Sequence, residues 1–176
     1  EESYAMTVIA KQLGYKRIAL AFGNDIGSQT FIQPAIAALK KAGLTLTTNQ
    51  SLDLKATTFR TEAAAIVQSH PDAIMTEALG SADPTLFSEI KQLNGGKIIP
   101  IIGTSAAISP AFFKASAAAV GGSAFASTFH ADNLVVLSSA LAAPRPGEVY
   151  RCWLNSGGSG WAVGKMYFSG STAYWV

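Results

Sequence analysis

The sequence predicts an α/β fold, with a doubly wound and mainly parallel sheet of about five strands. Five apolar residues at 18–22 precede a glycine-containing turn at 23–27 and a helical pattern, which is typical of a buried parallel strand leading into a helix. The alternation returns about every 25 residues, as crossovers between parallel strands require. Hydrophobic residues make up 49% of the 176 residues and charged residues 14%, enough apolar material for a packed core.

Four long helices are predicted from apolar residues that recur three or four positions apart. Gly14 ends the first helix, and Gly43 ends the second directly after two lysines. Pro34 is compatible with the first turn of the second helix, where the backbone N–H has no partner within the helix. Pro84 favours the start of the fourth helix, and Pro110 that of a further short one. The four long helices are predicted at 3–13, 29–42, 59–69 and 84–93.

Apolar runs between these helices predict the strands. The segment at 44–52 is rich in threonine and alternates apolar with polar residues at its start, which indicates a half-exposed edge strand. The other runs are more continuously apolar, as expected for strands covered on both faces. The five predicted strands lie at 17–22, 44–52, 73–76, 97–102 and 121–127.

The character of the chain changes after residue 131. All three tryptophans and the single cysteine lie beyond residue 150, and glycines and serines cluster at 156–160 and 169–171. Residues 149–154 and 161–168 are compatible with two strands joined by the glycine-rich turn. No packing role for this tail in the α/β core is evident from the sequence.

Composition excludes several classes of site. The formal charge is +2 with no basic cluster beyond Lys40 and Lys41, so nucleic-acid binding is not indicated. No apolar run is long enough to span a bilayer. Cys152 is the only cysteine, which excludes an intrachain disulfide and a cysteine-based metal site. The two histidines and scattered carboxylates show no metal-ligand spacing.

Ligands of open α/β sheets bind at the carboxyl ends of the strands, so the loop at 23–28 is the first candidate site. It lacks the Lys-Ser/Thr pair of a phosphate-binding P-loop and fails the G-x-G-x-x-G pattern. A receiver domain would need an aspartate after the third strand, where Glu77 stands, and no G-x-S-x-G hydrolase motif is present.

Polar residues nevertheless follow several strands at this edge. Taken alone, each carboxylate there is compatible with a solvated or capping role. Together they form a polar rim that suits reversible hydrogen bonding to a small solute better than covalent chemistry. The rim comprises Asp25, Glu77, Ser81, Asp83, Thr104, Ser105 and Ser109.

Several short motifs follow one another in the order and spacing of one family. They are Leu-Gly-Tyr-Lys-Arg-Ile-Ala-Leu at 13–20, Asn-Asp-Ile-Gly at 24–27, Ala-Ala-Leu-Lys-Lys-Ala-Gly at 37–43, Thr-Thr-Phe-Arg at 57–60, His-Pro-Asp-Ala-Ile at 70–74 and Ile-Ile-Gly at 101–103. The set resembles the branched-chain amino-acid type of ABC-importer substrate-binding protein, a type I periplasmic-binding fold, over roughly residues 3–130. The resemblance covers the second of that family's two lobes.

The resemblance implies a ligand-binding lobe at 1–130, followed by an unassigned Gly/Trp-rich tail at 131–176. In this family the solute is held between two lobes that close on it by a hinge. The second lobe supplies contacts from the loops after its first, third and fourth strands. Carried over onto this chain, the ligand-binding residues are Asp25, Ile26, Glu77, Leu79, Gly80, Thr104 and Ser105.

The chain departs from the family pattern at three of these positions. Amino-acid binders of the family often place aromatic residues near Ile26 and Leu79, and an acidic residue near Ser105 that holds the ligand ammonium. Here these positions are apolar or hydroxylic, which leaves Glu77 as the candidate for the ammonium contact.

The resemblance also implies where such a chain works and with what. The expected partners are a small polar solute such as an amino acid, the missing first lobe and an ABC permease, with no cofactor, catalysis or nucleic acid. The expected location is periplasmic or extracellular, with any signal segment or membrane anchor outside this chain. Two alternatives stay open: a ligand-sensing domain of a receptor or regulator on the same fold, and a small α/β enzyme.

Overall fold

The computed structural model describes residues 2–78, 80–104, 124–126, 134–138, 142–156, 159–169 and 172–175. Within them, the helices are α1 (Glu2–Gln12), α2 (Ile26–Gln29), α3 (Ile32–Ala42), α4 (Arg60–Gln68) and α5 (Ala82–Leu93). The strands are β1 (Arg17–Gly23), β2 (Thr45–Leu52), β3 (Ala73–Glu77), β4 (Ile101–Gly103), β5 (Ala124–Ala126), β6 (Leu134–Ser138), β7 (Arg151–Ser156), β8 (Ser159–Lys165), β9 (Tyr167–Ser169) and β10 (Thr172–Trp175).

A parallel sheet forms the frame of the described chain. Its strands run in the order β2-β1-β3-β4-β5, and every neighbouring pair among them is parallel. The predicted α/β fold with a mainly parallel five-stranded sheet is therefore confirmed. The half-exposed β2 lies at the edge, as its alternating sequence predicts.

β1 lies between β2 and β3 and is buried on both faces. Ala19 and Ala21 contribute to a core cluster with residues of α4 and α5, whereas Ile18, Leu20 and Phe22 contribute to a second cluster with residues of α1 and α3. Because successive side chains of a strand point to opposite faces, one apolar run supplies both cores. Helices on both faces make the sheet doubly wound.

The helix predicted at 29–42 is α3 in the structure, and a short additional helix, α2, precedes it largely within the segment predicted as a turn. Helix α2 ends at its C-cap residue Thr30, whose hydroxyl donates a hydrogen bond to the Gly27 carbonyl at 2.7 Å. α3 then begins at Ile32, which places Pro34 in its first turn as expected. Phe31, at the junction, stacks on Phe22 with ring centroids 6.1 Å apart. The break between α2 and α3 allows the short α2 to lie over the end of β1.

Strands beyond residue 130 continue the same sheet. β6 pairs antiparallel with β5, β10 with β6, and β9 with β10, which gives this sheet eight strands within the described residues. The two strands predicted at 149–154 and 161–168, joined by the glycine-rich turn, correspond to a separate antiparallel hairpin of β7 with β8. Three strands of the tail therefore pack in the sheet, a role that the sequence did not show. The division at residues 130 and 131 stays a prediction.

Replacing Phe87 tests the contribution of the core cluster under α5. The side chain is 1% exposed and packs in the cluster of α4 and α5, so Phe87→Ala removes a large buried ring and leaves a cavity. We expect the free energy of unfolding to fall by about 3–5 kcal/mol in denaturant titration. The control is Ser88→Ala at the exposed neighbour, which should change it by less than about 0.5 kcal/mol. Equal effects of both substitutions would contradict the burial of Phe87 in this cluster.

Candidate functional site

The carboxyl ends of β1, β3 and β4 meet at one edge of the sheet. Phe22 of β1 pairs with Glu77 of β3, and Thr76 of β3 pairs with Gly103 of β4. This register places the described residues that directly follow the three strands side by side. The sheet therefore brings together the starts of the three loops from which the sequence predicted ligand contacts.

Asp25 organises the loop after β1. Its carboxylate accepts the Ser28 N–H at 3.0 Å and the Ser28 hydroxyl at 2.6 Å, which caps α2. These two hydrogen bonds lower the pKa of Asp25 below its ordinary value. A Cβ on Gly23 would lie only 2.7 Å from the Asp25 carboxylate, so a larger residue here would displace the capping side chain. Asp25 is thus a capping residue whose charge lies at the site edge.

The other residues predicted for the first and second loops are placed as follows. Ile26, at the start of α2, is 89% exposed, so its side chain is available to a ligand or another lobe. Gly80 has a φ of +71°, a left-handed conformation that favours glycine. Leu79 and Ser105 lie outside the described residues.

Glu77 and Thr104 form the centre of the edge. Glu77 ends β3 and is half-buried, whereas Thr104 follows β4 and is fully buried. Burial raises the pKa of the Glu77 carboxyl, and the hydrogen bond with the Thr104 side chain partly opposes that shift. The structure therefore joins two of the predicted site residues directly.

Two further carboxylates act on Glu77 through their charges. Asp25 raises its pKa, and so does Glu2 at the start of α1, which is 8% exposed. Glu2 was not predicted as a site residue, because its position at the start of a helix reads as an ordinary N-terminal acid. Only the packing of α1 beside the sheet brings this acid near Glu77. Three carboxylates and a hydroxyl thus act at one edge.

Asp83 differs from what the sequence suggested. A solvated or capping role was expected, but the side chain is 1% exposed. Burial raises its pKa from 3.8 to about 7, although hydrogen bonds with Thr76 and Ala78 oppose the shift. Its position just before Pro84 at a helix start signalled an exposed cap, and nothing in the local sequence marked it as buried.

These carboxylate and hydroxyl groups suit reversible binding of a polar or cationic group. Carboxylates accept hydrogen bonds from an ammonium, and their partial burial strengthens the electrostatic attraction.

Within the described residues, no group of three or more His, Cys, Asp or Glu could hold a metal ion. No helix in the described part of the chain is long and apolar enough to cross a membrane.

A family model for periplasmic binding proteins matches residues 3–143. The chain belongs to this family. The type I periplasmic-binding fold predicted from the motifs is thereby confirmed, and with it the resemblance to binding proteins of the branched-chain amino-acid type. No curated protein sequence matches the chain.

Solved structures share the fold at low identity. A leucine binding protein from Thermotoga maritima is 21% identical with a TM-score of 0.64, over 70% of this chain and 35% of that one. An extracellular ligand-binding receptor from Rhodopseudomonas palustris is 22% identical with a TM-score of 0.63, over 71% and 34%. A candidate branched-chain amino acid ABC transporter from Rhodospirillum rubrum is 19% identical with a TM-score of 0.65, over 71% of this chain and 36% of that one. The chain spans about a third of their length.

Removing the Asp25 cap should loosen the first loop. In Asp25→Ala the Ser28 N–H loses its acceptor, so its amide hydrogen should exchange faster with solvent, whereas Asp25→Asn retains an acceptor and should protect it. Hydrogen exchange followed by NMR measures both. The lowered pKa means that the carboxylate stabilises the loop above pH 3.8 and that this contribution is lost as the pH falls through the folded pKa. Unchanged exchange in Asp25→Ala would contradict the capping role.

Neutralising Glu77 should stabilise the fold. Its pKa is raised in the folded state, so stability falls as the pH rises from 4.5 towards the folded value, and the cost persists above it. We expect Glu77→Gln to increase the free energy of unfolding at neutral pH, as is common for functional groups held at a cost. Denaturant titration across the acidic range measures this. Glu62→Gln, on α4, is the control and should show no such gain. A loss of stability in Glu77→Gln would contradict the electrostatics.

Proposed function

We propose that this chain is a solute-binding lobe of an ABC-importer substrate-binding protein that captures an amino acid or a similar small polar solute. The observation that carries the proposal is the convergence of three loops of a periplasmic binding protein fold on Glu77, Thr104 and Asp25. The fold class sets the cleft edge, and the side chains set its preference for a protonated amine.

The proposed mechanism is cleft closure with no covalent step. A solute that contacts this lobe and a second lobe binds the closed state better than the open one, and so shifts the equilibrium towards closure. The exposed Ile26 and the half-buried Glu77 would supply an apolar and an anionic contact from this side. A first lobe of the same protein would supply the facing wall, and an ABC permease would receive the solute outside the cytoplasm.

Glu77 is the proposed contact for the solute ammonium. At neutral pH an anionic Glu77 beside the Thr104 hydroxyl forms a charge-assisted site, and Asp25 and Glu2 add negative potential. These groups replace the acidic residue that the family often has near Ser105. The proposal therefore favours solutes with a free amine over carboxylates without one.

A ligand-sensing role on the same fold is the second candidate. It is supported by the description of structural neighbours from Rhodopseudomonas palustris as extracellular ligand-binding receptors. The binding step is the same in both roles, and an attached output module would distinguish the sensor from the transporter component.

Calorimetric titration tests the binding site. Amino acids, and the matched carboxylates without the amine, are titrated into the protein that contains this chain together with its first lobe. We expect Glu77→Gln to weaken amino-acid binding by about tenfold or more, because a charged hydrogen bond contributes about 1.5–3 kcal/mol. Glu62→Gln is the control and should bind as the unchanged protein does. Binding that is equally strong for carboxylates without an amine, or unaffected by Glu77→Gln, would refute the ammonium contact.

A further inference from the structure

Three buried oxygen atoms lie in a row beside Glu77. The Thr76 hydroxyl oxygen is 2.7 Å from the Ala21 carbonyl oxygen and 2.7 Å from Oδ1 of Asp83. Both distances are those of O–H···O hydrogen bonds. Thr76 and Asp83 are 0% and 1% exposed. Solvent is therefore not the source of a proton for either contact.

The number of protons available to these contacts indicates whether the Asp83 carboxyl is protonated. A backbone carbonyl oxygen only accepts, and a threonine hydroxyl carries one proton. If that proton goes to Ala21, the contact between Thr76 and Asp83 needs a second proton, and only the Asp83 carboxyl can supply it. If Asp83 were ionised, one of the two contacts would be an unbridged pair of oxygens in a buried site, which is costly.

We propose that Asp83 is a neutral carboxylic acid that positions Glu77, donating its proton to the Thr76 hydroxyl and accepting the Ala78 N–H. Thr76 and Ala78 are the two neighbours of Glu77, so one carboxyl contacts the side chain of the residue before the candidate ligand contact and the backbone N–H of the residue after it. The bond from the Ala78 N–H to Oδ2 is 3.2 Å long. In this arrangement every polar atom of the carboxyl has a partner.

The electrostatic surroundings agree with this state. Burial, with a smaller contribution from the charge of Glu77, raises the pKa of Asp83 to about 7, although the hydrogen bonds with Thr76 and Ala78 oppose the shift. β1 contributes the Ala21 carbonyl, an acceptor. On α5 itself, Glu89 accepts the Thr58 hydroxyl and the Phe59 N–H. The remaining charged side chains of α5 and of α4, which packs against it, are Lys91, Arg60 and Glu62.

Replacing Asp83 by asparagine tests the protonation state. Its NH₂ group can donate to Thr76 and its oxygen can accept from Ala78, so Asp83→Asn mimics the neutral acid. The folded pKa is raised, so the unchanged protein loses stability as the pH rises from 3.8 to about 7, and the loss then stays constant. In denaturant titration, the ratio of the folding constant of Asp83→Asn to that of the unchanged protein should rise with pH, by up to about tenfold per pH unit in that interval.

The control is Asp72→Asn, which alters an exposed carboxylate. The backbone N–H groups of Lys16 and Arg17 donate to Asp72 and lower its pKa. The folding constant of Asp72→Asn, divided by that of the unchanged protein, should therefore be constant above about pH 5. If the corresponding ratio of folding constants for Asp83→Asn is equally constant between about pH 5 and about 7, the proposal is overturned. If Asp83→Asn does not fold, NMR of carboxyl-labelled aspartate in the unchanged protein decides: an aspartate that titrates near neutral pH supports the proposal, and its absence overturns it.

The positioning role has its own measurement. In Asp83→Ala the Ala78 amide loses its acceptor and should exchange faster, whereas Asp83→Asn should protect it as the unchanged protein does. The effect on ligand rests on the function proposed above: amino-acid affinity should fall at least about tenfold in Asp83→Ala and stay within about twofold in Asp83→Asn. Rapid exchange in both variants would overturn the positioning role. If the unchanged protein binds no amino acid, the proposed function fails. The titration and hydrogen-exchange results still test the protonation of Asp83 and its hydrogen bond from the Ala78 N–H.

Discussion

The burial of β1 on both faces is the constraint on which the rest of the structure depends. Its residues 18–22 pack against one helix layer on each side, and the strand pairs with β2 and β3 as parallel neighbours. A parallel neighbour must return through a crossover, so the strand ends align at one edge. The candidate site is a consequence of this alignment, because its loops could not meet if a strand ran the other way.

The site edge concentrates negative charge where a soluble protein would ordinarily avoid it. Glu77 is half-buried, it lies within the influence of Glu2 and Asp25, and its pKa is raised by burial and by those charges. Such an arrangement costs stability in the free protein and is relieved when a cation approaches. The neighbouring Asp83 avoids the same cost by keeping its proton. Adjacent carboxyls thus take different roles because one is accessible and the other is enclosed.

Much of the fold was predictable from local patterns. The apolar run at 18–22 predicted β1, and Gly43, with a φ of +74°, ended α3 where expected. The short α2 was not predicted, because its four residues are too few to show a helical periodicity and they lie in the turn after β1. The tail strands that join the sheet were also missed, since a strand's partner depends on long-range pairing rather than on its own sequence.

The sequence by itself determined the fold class, the family and the loops that carry the candidate site, because periodicity, glycine turns and motif order are local properties of the chain. Only the tertiary structure decided how the carboxyls at that edge behave. Glu2 comes near Glu77 through helix packing, and Asp83 becomes a buried partner of Thr76 because α5 covers the end of β3. Charge state depends on burial and neighbours in space, and neither is written in the spacing of residues along the chain.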